Sequence, residues 1–222
     1  RTARDTLRLE LLDRLVGDYY QIDPNKALQY ARQGVAESRS LQNQPQEGQF
    51  LNNIAICHSI LGELDSSKFY FLKAGDVGKA HQNLDLVYSA AQNVAVIEYQ
   101  RGRHDSALFY FKPVFDKISK EKNARKRADA YSFMGAILIQ QKDYDGAHFY
   151  LAKAYDLYKE EGRDKFAIAK ALNNLAIIAR NRNDYPTALK YYEEAIGLIK
   201  ADGPSTSLGD LLNNAGAAHF DL

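Results

Sequence analysis

The side chains best equipped for chemistry in this 222-residue chain are five histidines, one cysteine, a lysine-bearing glycine segment and a recurring pair of asparagines. His58, His81, His104, His148 and His219 do not cluster at the spacings that metal ligation or a Ser-His-Asp or Cys-His arrangement requires. His58 and His219 fall at a helix-packing slot, and His104 stands where other units have Tyr144 and Tyr185, so packing accounts for them. Cys57 has apolar neighbours and is expected to be a buried thiol; with no second cysteine no intrachain disulfide can form. "KAGDVGKA" (Lys73–Ala80) has the look of a phosphate loop. It lacks the first glycine, the Ser/Thr after the lysine and a preceding strand, and is rejected. Lys117, Lys120, Lys122, Arg125, Lys126 and Arg127 surround one segment without an aromatic platform, which describes a solvated loop rather than a nucleic-acid patch. No catalytic residue, metal or cofactor is implied.

The asparagines are different. "ALNNLAIIARNRNDY" places Asn173 and Asn174 inside an apolar helical run, and the doublet recurs in "LNNIAI" (Leu51–Ile56) and "LLNNAGAA" (Leu211–Ala218). With Asp164 as N-cap, Asn173 lies well inside the helix and cannot itself be a cap. Interior asparagine costs roughly 0.5 kcal/mol against alanine, so something offsets it. At ~100° per residue the core face is Ile168, Ala171, Leu172, Leu175, Ala176 and Ala179, while Lys170, Asn173, Asn174, Ile177, Arg180 and Asn181 fall on the opposite half.

The elements that must carry these residues follow from a period. Tyr30, Tyr70, Tyr110, Tyr150 and Tyr191 are separated by 40, 40, 40 and 41 residues. Ala27, Ser67, Ala107, Ala147 and Ala188 keep the same spacing, as do Asn53, Asn93, Phe133, Asn174 and Asn214. Each unit reads as helix, short turn, helix, with turns at "LGELDSS", "RGRHDSA", "QKDYDGA" and "RNDYPTA". The second helix opens on a small residue that lets its partner approach, and the aromatics three and four positions on fill the gap. Polar loops, "DVGKAHQN", "SKEKNARKR", "EEGRDK" and "ADGPSTS", are expected to join the units. Tyr155 and Tyr158 are expected at the surface, engaged in packing between repeats rather than in ligand contacts.

This pattern resembles the tetratricopeptide repeat. The small–large–small signature is met by Leu175, Ala176, Ala179, Ala188, Tyr192 and Ala195, and again by Ile54, Ala55, Ser67 and Phe71, and by Val94, Ala95, Ala107 and Phe111. The period is longer than the family's usual one and is similar to the long-helix variety of kinesin light chains and bacterial signalling proteins. The resemblance implies an all-α, right-handed superhelical solenoid of antiparallel helix pairs. One domain over residues 1–222 would hold repeats near 5–46, 47–86, 87–125, 126–166 and 167–206, with a partial unit 207–222. The first unit is degenerate and the last has only its first helix, so a fragment of a longer protein is expected.

In that family the outward half of the first helix of each pair lines a groove. The positions carried over are Asn52, Asn53, Ile56; Gln92, Asn93, Val96, Tyr99; Ser132, Ala136, Ile139; Asn173, Asn174, Ile177, Arg180; and Asn213, Asn214, Ala217. A carboxamide both donates and accepts, which suits a peptide backbone. Helices ~8–10 Å apart and an extended chain advancing ~3.3 Å per residue would bring one asparagine to about every third peptide residue. The alternative is that these amides bond neighbouring helices and hold the stack. The lysines of carboxylate-clamping relatives are missing from these positions, so a chaperone-tail clamp is not expected.

The charge balance, 29 basic against 28 acidic residues, offers no field for nucleic acid or acidic lipid. No apolar run approaches the ~20 residues of a membrane helix. The resemblance implies a non-catalytic, protein- or peptide-binding scaffold, the sensor or interaction domain of a bacterial signalling protein. Two further roles stand beside it: a peptide-pheromone receptor, and the input domain of a histidine kinase or transcriptional regulator. Cytoplasm and periplasm both remain open.

Overall fold

A computed structural model describes residues 3–162, 164–200 and 205–221. Among them run eleven helices and no strand: α1 (Ala3–Tyr19), α2 (Pro24–Ser40), α3 (Gln44–Ile60), α4 (Leu64–Ala80), α5 (Leu84–Gln100), α6 (His104–Ile118), α7 (Ala124–Gln140), α8 (Tyr144–Glu161), α9 (Lys165–Asn181), α10 (Tyr185–Ile199) and α11 (Thr206–Phe220). Odd-numbered helices are the first members of the repeats and even-numbered ones the second. Contacts group the chain into two compact units, Arg1–Val114 and Phe115–Leu222, with the boundary inside α6.

The connections are shorter and more uniform than the sequence suggests. Between α2 and α3, α3 and α4, α4 and α5, α5 and α6, α7 and α8, and α9 and α10 stand three residues only. The middle residue of each is left-handed: Gln42, Gly62, Gln82, Gly102, Lys142 and Asn183, at φ 51, 77, 55, 71, 61 and 62°. The following N–H turns back to the carbonyl five residues earlier, as in Asn43 to Ser38 (2.7 Å), Glu63 to His58 (2.8 Å) and Asp184 to Ala179 (2.9 Å). That is the Schellman closure of a helix C-terminus. Seven helices start on a side-chain cap, Asp23, Asn83, Asn123, Asp143, Asp164, Asp184 and Ser205 each accepting from the N–H three residues on, whereas Asn43 and Glu63 before α3 and α4 make no such bond. The 40-residue period thus hides a half-period of helix plus turn, used within repeats and between them.

This corrects the expected joining loops. "DVGKA" belongs to α4 and only His81–Asn83 connects α4 to α5, while "ARKR" opens α7 and α8 runs to Glu161. Of "ADGPSTS", Ala201–Pro204 lie outside the described residues, as do Arg163 of "EEGRDK" and Leu222. Gly78, read as part of a loop, is a buried helix residue that admits a neighbour, as is Gly75: a Cβ on Gly78 would meet Val87 at 2.9 Å, and one on Gly75 would meet Ala90 at 3.3 Å. Where the left-handed residue carries a side chain, strain remains. Lys142→Gly is expected to raise stability by up to about 1 kcal/mol, and Gly102→Ala to lower it by about 1 kcal/mol, read from thermal or urea unfolding.

The small-residue column lies in the core, Ala27, Ser67, Ala107, Ala147 and Ala188 all being 0% exposed. Ser67 is tolerated there because its hydroxyl donates to Ala55 O at 2.8 Å. Four positions on, Ala31, Phe71, Phe111, Leu151 and Tyr192 are buried, and the tyrosines of the defining column are half-buried. Phe69, Phe109 and Phe149, which the repeat pattern does not single out, stand exposed on α4, α6 and α8.

Candidate functional site

In the second unit, α9 begins as expected. Asp164 accepts from Ala167 N at 2.9 Å, and that bond together with the Arg125 guanidinium holds its carboxyl below the usual carboxylate range. Ile168, Ala171, Leu172, Leu175, Ala176 and Ala179 are buried, while Asn173, Asn174, Ile177 and Arg180 are half-buried and Lys170 and Asn181 exposed. Asn173 Oδ1 accepts from Asn214 Nδ2 at 3.1 Å, so the amide doublets of α9 and α11 touch. Arg180 is bound to Asp221 at 2.7 Å. The side-chain amides of Asn174 and the exposed Asn213 make no hydrogen bond among the described residues. On α7, Ser132 is buried, and Ala136 and Ile139 are half-buried.

In the first unit the amides are spent differently. Asn52 and Asn53 are 6% and 5% exposed, which removes them from the open wall expected for them. Asn53 donates to Asp13 Oδ1 at 2.8 Å, one repeat back, and Asn52 accepts from Ser89 at 3.5 Å, one repeat on. Asn93 donates to Ser89 O at 2.8 Å, within its own helix α5. Gln92, Val96 and Tyr99 are half-buried on the same face, and the Gln92 side-chain amide makes no hydrogen bond among the described residues. Asp13 is a partner that sequence reasoning missed, although it stands one period before Asn53.

A second polar pair also escaped notice. Glu98 is 1% exposed on α5, held by Lys68 of α4 at 3.1 Å and by Arg103 at 3.7 Å. Its position in the repeat is that of His58, Leu138, Ala179 and His219.

The remaining candidates behave as structural groups. His58 is buried, stacked on Tyr70 at 5.4 Å, with its Nδ1 2.6 Å from Glu63. His219, expected at the same packing slot, is exposed, because no described helix covers α11 as α4 covers α3. Burial pushes the Cys57 thiol up to about 11, which leaves no thiolate at neutral pH. Among the described residues no group of three metal-ligating side chains forms. Nor is any described helix long and apolar enough to cross a membrane. Tyr158, expected at the surface, is 4% exposed, its ring turned into the stack. Tyr155 is half-buried and donates to Glu194 at 2.9 Å, one repeat on. The basic run is partly structural: Arg125 bridges Asp129 and Asp164, and Arg127 donates to Glu121 O and Lys122 O.

Half-buried amides and aliphatic side chains on rigid first helices can bind a chain by hydrogen bonds and apolar contact; they offer no nucleophile or paired acid and base. Stacked helix hairpins with this face define an α-helical repeat protein. A family model described as "Tetratricopeptide repeat" matches residues 87–160 and 127–201, together over half the chain. The chain belongs to the tetratricopeptide repeat family, whose fold is typically a non-catalytic scaffold for protein interaction.

Solved structures agree on the fold. BtubC (BKLC) from P. vanneervenii is 16% identical, over 92% of this chain and 95% of that one, with a TM-score of 0.74. A signal-transduction ATPase with a tetratricopeptide repeat sensor from Pyrococcus horikoshii is 15% identical over 96% of this chain, with a TM-score of 0.81; the match spans 32% of that protein. A Rap protein complexed with competence and sporulation factor is 15% identical, over 92% of this chain and 62% of that one, with a TM-score of 0.70. No curated protein sequence matches the chain.

Proposed function

We propose that the first-helix faces of this scaffold bind an extended peptide segment, and that the chain serves as a sensor or interaction domain in bacterial signalling. The observation that carries this reading is the set of side-chain amides left without protein partners on otherwise well-packed helices: Gln92 in the first unit, Asn174 and Asn213 in the second. Val96 and Tyr99, and Ile139 and Ile177, supply apolar contact beside them. Asn93, Asn173 and Asn214 keep part of their hydrogen-bonding capacity, since each amide has two donors and an acceptor. Asn52, Asn53 and Ser132 hold the stack and position the face rather than meet the ligand. Likeness to the sensor of the Pyrococcus ATPase supports the signalling role.

A second reading, reception of a small diffusible peptide, is favoured by the likeness to a Rap protein solved with competence and sporulation factor.

Both readings are tested by panning a random peptide library against the whole chain and measuring selected peptides by fluorescence polarisation. Asn174→Ala with Asn213→Ala, both in the second unit, is expected to weaken binding at least about tenfold, since each lost hydrogen bond is worth roughly 1 kcal/mol. The melting temperature should hold, because neither amide bonds the described chain. Undiminished affinity in that variant would place the binding surface elsewhere.

A further inference from the structure

In the second unit, the corner between consecutive first helices is closed in one repeat and, among the described residues, open in the next. Between α7 and α9 it is closed by Tyr158 of α8. The Tyr158 hydroxyl donates to Asp129 at 2.7 Å, and the Arg125 guanidinium covers the ring at 5.1 Å. Arg125 also bridges Asp129 at 3.2 Å and Asp164 at 2.7 Å, so ring, guanidinium and two carboxylates form one bonded plug.

One repeat on, at an offset of 41 residues, every member of that plug is replaced. Ile199 stands for Tyr158, Phe166 for Arg125, Lys170 for Asp129 and Ser205 for Asp164. Isoleucine has no ring or hydroxyl to reach across the corner, phenylalanine cannot bridge two carboxylates, and Ser205 is engaged as the cap of α11, accepting from Leu208 N at 3.2 Å. At this corner lies a pocket of about 390 Å³, lined among others by Phe166, Lys170, Asn173, Ile199, Asp210 and Leu211.

We propose that this pocket receives a tyrosine side chain from a bound peptide, supplying from outside the ring that the preceding repeat supplies from its own chain. The inference rests on the peptide-binding reading above and names one residue that the peptide must carry. The floor of Ile199 and Leu211 is apolar, and Phe166, 47% exposed, offers a ring face or edge for aromatic packing. Lys170 and Asp210, both exposed, line the same pocket, one a donor and the other an acceptor; a phenolic hydroxyl can pair with either, whereas an aliphatic side chain can pair with neither. Asn173 of the same lining belongs to the amide face, so the peptide backbone and its tyrosine would be held together. The volume lies at the lower end of the range for ligand pockets, roughly 300–1,000 Å³.

The probe is N-acetyl-tyrosinamide, titrated into the whole chain and followed by NMR. It is expected to shift signals of Phe166, Lys170 and Asp210 and to saturate on the order of millimolar, as a ligand of this size allows. N-acetyl-leucinamide should bind at least about fivefold more weakly for want of the aromatic contact. Ile199→Tyr, which copies the closed corner, should weaken tyrosinamide binding at least about tenfold. Phe166→Ala, at a half-exposed position the fold does not depend on, should weaken it about fivefold and keeps the test decisive if the tyrosine variant folds poorly. Tyrosinamide that leaves the pocket signals unmoved, or that binds both variants as it binds the parent, overturns the proposal. The two readings fail separately. A library-selected peptide that loses affinity with Asn174→Ala and Asn213→Ala but not with Ile199→Tyr would sink the pocket and leave the amide face standing. Pocket shifts with tyrosinamide, beside amide substitutions without effect, would do the reverse.

Discussion

Replacing Lys68 by methionine is expected to destabilise the protein by about 3 kcal/mol, because it leaves the buried Glu98 carboxylate without its close partner. Glu98 is 1% exposed and Lys68 Nζ stands 3.1 Å from its Oε1. Arg103, at 3.7 Å from the other oxygen and largely in solvent, compensates only in part. Converting both residues to leucine should bring stability back to within about 1 kcal/mol of the parent, since buried ion pairs are commonly replaceable by apolar pairs. The chain itself has leucine at both equivalent positions one repeat on, Leu108 and Leu138. Burial works against the Lys68 ammonium, but its bonds to Glu98 and Tyr110 outweigh that and raise its pKa overall. A raised lysine contributes stability that is complete at neutral pH and is lost as pH climbs through the lysine range. Urea unfolding of the parent, Lys68→Met and the double variant at pH 7 and above pH ~10 checks each part. A single variant as stable as the parent at pH 7 would mean that water already satisfies Glu98.

Phe50→Ala is expected to cost about 3–5 kcal/mol, the usual range for emptying a fully enclosed phenylalanine site. Phe50 of α3 is 0% exposed, and its ring lies against Gly34 of α2, where a Cβ would come within 2.4 Å of ring carbons. Gly34→Ala should therefore destabilise by about 1–3 kcal/mol, through overpacking rather than helix propensity, which alone would favour alanine. The two sites must couple: Gly34→Ala combined with Phe50→Leu should cost less than the sum of the single changes by at least about 0.5 kcal/mol. Additive effects in a urea double-mutant cycle would show that the ring moves aside freely.

How much of this was legible beforehand differs by element. For α9, the Asp164 cap, the buried stripe and the outward angle of Asn173 and Asn174 all follow from 3.6-residue periodicity and local chemistry. The Ala27–Ala188 column announces close helix approach because only small residues recur there, and it is buried throughout. The joining loop "DVGKAHQN" was misjudged for a local reason: Gly78 looks like a loop residue, and only the nearness of Val87 shows that it is small in order to admit a neighbour. The asparagine columns show the same division. Asn53 and Asn174 share one repeat position, yet one amide is buried against Asp13 and the other has no partner among the described residues. What stands one repeat away, an aspartate or a phenylalanine, decides that.

From the sequence by itself came the helix pairs, the 40-residue period, the family resemblance and the buried and outward faces of α9, because a helix sets angles locally and a repeat sets its neighbours in advance. Only the tertiary structure decided which amides are already satisfied, that Glu98 and Lys68 meet, and that the corner closed by Tyr158 is left open at Ile199 among the described residues. Those depend on donors, acceptors and volumes brought across from another helix to within an ångström or so, and no spacing along the chain carries that distance.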